Sequence, residues 1–103
     1  MKTILYFVDE DFLLEMAKTA LEGHDIQVIG PNKDLDNLSL VQNVGPDLIL
    51  LDVDHYPDLL EHLEHPTVIL SGKASSLNKS ELASYQKLEK PLNIKDFHKL
   101  VLL

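Results

Sequence analysis

Apolar residues fall into short runs separated by amphipathic stretches of similar length, and this rhythm predicts the elements. Ile4-Leu5-Tyr6-Phe7-Val8 is a buried strand that ends in Asp9-Glu10-Asp11. Leu13, Met16, Ala17, Ala20 and Leu21 then recur at helical spacing, with Glu15, Lys18 and Glu22 on the other side and Gly23 as the stop. Asp25 to Gly30 alternates as a second strand. Leu35, Leu38, Val41 and Val44 make a second helical stripe, which Gly45-Pro46 ends. The next run, Leu48-Ile49-Leu50-Leu51 between Asp47 and Asp52, is apolar without alternation, the pattern of a strand covered on both faces in the middle of a parallel sheet.

Beyond Asp52 the pattern weakens. Leu59, Leu60 and Leu63 predict about two helical turns before His65-Pro66, and Thr67-Val68-Ile69-Leu70-Ser71 is a fourth buried strand. Asn78 and Glu81 have capping-box spacing, so a short helix is expected from Lys79 to about Tyr85. Lys87-Leu88-Glu89-Lys90 is a strand by its place in the βα pattern, stopped by Pro91. Asn93 and Asp96 then cap a last helix whose apolar face is Ile94, Phe97 and Val101. The result is βαβαβαβαβα. The four connections 9–24, 31–46, 53–66 and 72–86 are each fourteen to sixteen residues long, enough for a helical crossover between parallel strands.

Parallel strands end on one edge, where open α/β sheets bind their ligands. Asp9, Glu10 and Asp11 after the first strand, Asp52 and Asp54 after the third, Ser71 after the fourth and Lys90 after the fifth therefore converge. Five carboxylates at one edge repel each other unless a cation neutralises them, and oxygen-only ligands suit Mg²⁺. A lysine and a hydroxyl facing such carboxylates are what a phosphoryl group requires, with an Asp oxygen as nucleophile.

Composition narrows the field. A chain of 103 residues is expected to form one domain, 1–103, without an output domain. It has no cysteine, which excludes disulfides and thiolate metal sites. Its apolar start is broken at once by Asp9, too early for a signal peptide or a membrane span, so a soluble, cytoplasmic protein is expected. The formal charge of −8 repels phosphate backbones, which argues against direct nucleic-acid binding and suits a bound cation. His55, His62 and His65 have no Cys or acidic partner at a persuasive spacing and are read as solvated surface histidines.

Val8-Asp9-Glu10-Asp11, Gly45-Pro46-Asp47-Leu48-Ile49-Leu50-Leu51-Asp52, Val68-Ile69-Leu70-Ser71 and Lys90-Pro91 together resemble the receiver domain of bacterial response regulators. The resemblance covers nearly the whole chain. It implies a CheY-like, flavodoxin-like (βα)5 fold: α/β, a doubly wound five-stranded parallel sheet in the strand order 2-1-3-4-5. It also implies that Asp52 accepts a phosphoryl group from a histidine kinase or phosphotransfer protein and that the domain then switches its binding of a downstream protein. By the same resemblance Asp9, Glu10, Asp52 and the backbone carbonyl of Asp54 hold Mg²⁺, Ser71 binds the phosphoryl oxygen and Lys90 pairs with it.

The chain departs from the family's pattern in four places: Glu10 stands at a position usually Asp, Pro57 comes one place late with no Asp-Gly pair after it, the third crossover is short, and Lys87 replaces the usual aromatic. These departures motivate a second reading, a pseudo-receiver interaction module that signals without phosphorylation. Leu51-Asp52-Val53-Asp54 also looks like the nucleophile motif of haloacid-dehalogenase-type phosphatases, but their late acidic motif is missing.

Overall fold

A computed structural model describes residues 2–31, 34–73, 84–90 and 92–101. The strands are β1 (Lys2–Phe7), β2 (Ile26–Ile29), β3 (Leu48–Asp52), β4 (Thr67–Ser71) and β5 (Gln86–Glu89). They form one five-stranded sheet in the order β2-β1-β3-β4-β5, and every neighbouring pair is parallel. This is the expected order. The helices are α1 (Asp11–Ala20), α2 (Asn37–Val44) and α3 (Ile94–Val101).

The absence of alternation in the central strands is explained by two cores, one on each face of the sheet. Ile4, Tyr6, Val8, Leu50, Val68 and Leu70 point to one side and pack with Ala17 and Leu21 of the α1 segment and with Phe97 of α3. Leu5, Phe7, Ile49, Leu51 and Ile69 point to the other and pack with Leu40 and Val41 of α2 and with Leu59. Successive residues of one strand thus enter different cores, and both must be apolar.

Local chemistry sets the helix ends. The Asp36 carboxylate accepts hydrogen bonds from the Ser39 N–H and from the Ser39 hydroxyl, both at 2.9 Å, at the start of α2. Gly45 ends that helix in the left-handed region, φ 57°, where a side chain would be strained. Before α3, Asn93 and Asp96 cap each other reciprocally: each side chain accepts from the other's backbone N–H at 2.9 Å.

The third crossover differs from expectation. In place of two helical turns it holds a single 3-10 turn at Leu60–His62. The Asp52 carbonyl accepts from the N–H groups of His55 and Tyr56, so a tight turn uses up the first residues after β3. Between Pro57 and Pro66 only Leu60–His62 turns helically, although Leu59 still reaches the core. The helix expected from Lys79 to about Tyr85 lies, apart from its last positions, outside the described residues, as does Pro91. No helix among the described residues is long and apolar enough to cross a membrane.

Phe97 is fully buried and meets the Tyr6 ring edge-on at 5.9 Å, joining α3 to the middle of the sheet. Phe97→Ala is expected to lower unfolding free energy by about 3–5 kcal/mol. Urea unfolding should show the midpoint falling at constant slope; an unchanged midpoint would place α3 off the core.

Candidate functional site

Strand order reverses between β1 and β3, since the chain leaves β1 for β2 on one side and returns to β3 on the other. A crevice opens at such a point beyond the strand ends. Register fixes what lines it. Phe7 pairs with Leu51, so Asp9 and Asp52 emerge side by side; Asp52 pairs with Leu70, and Ser71 with Glu89, just before Lys90. The Lys90 N–H donates to the Ser71 carbonyl at 2.8 Å, which extends the ladder to the lysine itself.

Asp52 is only 2 % exposed, and both its carboxylate oxygens are engaged. Oδ1 accepts from the Asp54 N–H at 3.0 Å. Oδ2 accepts from Lys90 Nζ at 2.7 Å and meets His55 Nδ1 at 2.9 Å. Lys90 Nζ also lies 3.2 Å from Asp54 Oδ2, so a single ammonium serves two carboxylates. Burial opposes the Lys90 charge, but its bonds to Asp52 and Asp54 outweigh that and raise its pKa. Tyr6, beneath this edge, has its phenol pushed up to about 12 by burial and by the Asp52 charge. Burial, with the charges of Asp9 and Asp52, also raises the Tyr56 phenol.

Asp54 does more than turn the chain. Its Oδ1 accepts from the Ser71 hydroxyl at 2.7 Å and its Oδ2 from the Gly72 N–H at 2.8 Å. Burial works against the charge on this carboxylate, but Ser71, Gly72 and Lys90 together hold its pKa down to about 2. Ser71, fully buried, is therefore bonded to Asp54, and its oxygen also accepts from the Lys73 N–H at 3.0 Å.

His55 corrects the sequence reading. It is not merely a solvated surface residue: its Nε2 lies 3.0 Å from Asp9 Oδ2 while its Nδ1 holds Asp52, so the ring bridges the carboxylates of two strand ends. The signal lay in the turn itself, which folds the third residue after Asp52 back onto it. His62, by contrast, meets Glu61 on the surface. Asp9, Asp52 and His55 bring one potential metal donor each to within 4.8 Å of the others. Glu10 is exposed, precedes α1 without a side-chain cap bond, and lines an adjoining cleft of about 340 Å³ with Asp9, Asp11 and Tyr56.

The Asp54 network sets a dependence on pH. Its pKa lies below the ordinary carboxylate value of 3.8, so its stabilising contribution is complete above about pH 4 and is lost as pH falls towards about 2. Unfolding free energy measured across that window should fall with pH, and Asp54→Asn should flatten the fall. The same slope in both proteins would remove Asp54 from the cause.

No known family profile matches the sequence, and no curated protein matches it. Solved structures do match its fold. The N-terminal domain of the nisin resistance regulator NsrR, a lantibiotic response regulator, is 16% identical at a TM-score of 0.77, over 99% of this chain and 96% of that one. A CheY-like response regulator receiver domain from Methylobacillus flagellatus is 21% identical at 0.73, over 99% and 97%. A response regulator receiver modulated diguanylate cyclase from Pelobacter carbinolicus is 24% identical at 0.73, over 99% and 90%. With its all-parallel 2-1-3-4-5 sheet, the chain has the fold of CheY-like response-regulator receiver domains.

Proposed function

We propose that this protein is a phosphoacceptor receiver of a two-component or phosphorelay system, which takes a phosphoryl group on Asp52 from a histidine kinase or phosphotransfer protein and thereby changes its binding of a downstream protein. The observation that carries the reading is the Asp52 carboxylate at the reversal point of the sheet, with Lys90 Nζ 2.7 Å from its Oδ2. An Asp52 oxygen attacks the donor phosphorus, and the bond from phosphorus to the donor's nitrogen or acyl oxygen breaks as the new P–O bond forms. Lys90 offsets the charge that remains on the equatorial oxygens. Ser71, once released by Asp54, offers its hydroxyl to one of them.

The carboxylate donors fit Mg²⁺: Asp9 and Asp52 present hard oxygens at one crevice and Glu10 lines the cleft beside it, and the receiver resemblance would add the Asp54 backbone carbonyl. When bound, the ion offsets negative charge shared between the acceptor and the transferred group. The protein's own part is to hold the acceptor still, through the Asp54 N–H and Lys90, and to keep it out of bulk water.

One observation favours a second reading, an interaction module of the same fold that signals without phosphorylation. Both oxygens of Asp52 are already bonded within the chain.

Incubation with acetyl phosphate and Mg²⁺, followed by intact-protein mass spectrometry, separates the two. The expected result is a gain of one phosphoryl group, absent in Asp52→Asn and slowed roughly tenfold or more in Lys90→Ala. No gain in the wild type, with this donor or with a phosphorylated histidine phosphotransfer protein, would leave the interaction module.

A further inference from the structure

We infer that His55 is a built-in competitor for the divalent cation, holding the same carboxylate oxygens that cation binding requires, so that loading the site means swinging its ring out. This rests on reading Asp9 and Asp52 as the cation-holding carboxylates. The ring lies between them, with Nε2 3.0 Å from Asp9 Oδ2 and Nδ1 2.9 Å from Asp52 Oδ2. Both ring nitrogens are taken up by the two carboxylates, so the ring in this position occupies the space between them. Mg²⁺ binds oxygens at about 2.0–2.1 Å in a near-ideal octahedron, and an ion that close to both carboxylates needs the volume the ring now fills. Imidazole is also a poor substitute ligand for so hard an ion.

The geometry leaves a way out. The His55 side chain is 46% exposed, and that of Asp9 37%, so the ring faces solvent at the mouth of the crevice. It is tethered by the turn after Asp52, and rotation about its side-chain bonds takes the ring off both carboxylates without moving β1 or β3. The arrangement gives both acids a partner from within the chain and sets a threshold for loading them.

Mg²⁺ titration of the wild type and of His55→Ala by isothermal calorimetry tests this. Loss of the competing, charge-assisted contacts is expected to tighten binding about tenfold. In the wild type, NMR should show the His55 ring-carbon protons shifting in step with the binding isotherm. Equal affinity in both proteins overturns the inference alone, and weaker binding by His55→Ala does so by making the histidine a ligand. Ring signals that stay still while the site saturates also overturn it, whatever the variant does. Binding by neither protein overturns both the inference and the reading of Asp9 and Asp52 beneath it.

Discussion

A carboxylate that is 2 % exposed at the end of a strand is tolerated only where charge and hydrogen bonds are brought to it, and Asp52 draws these from separate parts of the chain. Lys90 arrives from the far edge of the sheet, His55 and the Asp54 N–H from the turn that follows the strand. Lys90 would not be in place without parallel strands that all end on one edge. Removing a partner from such a group leaves an uncompensated charge and is far more disruptive than replacing the whole cluster. The crevice and the fold therefore depend on one another, and the Asp52–Lys90 contact is where they meet.

Much of this arrangement was legible in the sequence because the signals were of the right kind. The unbroken apolar runs of β1 and β3 have the pattern of strands covered on both faces, and a βα rhythm with crossovers of even length pointed to a parallel sheet. Asp9, Asp52, Ser71 and Lys90 follow from that placement alone, since each stands at a strand end. The site's inner connections were harder to see. His55 sits on Asp52 because a tight turn returns the chain, and turn geometry does not follow from hydrophobic pattern. Asp54 was legible as one of the carboxylates at the strand edge, whereas its bonds to Ser71, Gly72 and Lys90 depend on side-chain directions across three segments. The third crossover misled for a related reason: three leucines suggested two helical turns, but a tight turn takes up the first residues after Asp52 and a single 3-10 turn follows.

The similarity to solved receiver domains lies in architecture, at identities of 16% to 24% for the three structures compared above. That is consistent with what the physics constrains. Sheet order and the two cores can be met by many apolar sequences of similar volume, so they persist while individual residues change. Function has to be argued from the site instead. Here the site joins groups at the expected strand ends to the turn that follows Asp52, whose residues Asp54 and His55 bond Ser71 and Asp52 directly.

The reach of Lys90 has one more consequence. β5 is a four-residue edge strand with no fully buried position, so its own packing holds it weakly to β4. Immediately after it, Lys90 binds two carboxylates from the segment around the end of β3, and this contact bridges β4 like a clasp. The sheet's outer margin is thus fastened electrostatically from its centre. By thermodynamic reciprocity, any event that changes the charge at Asp52 or Asp54 alters how firmly that margin is held, and any ligand that grips the margin more tightly in one state feeds back on the charge by the same free energy.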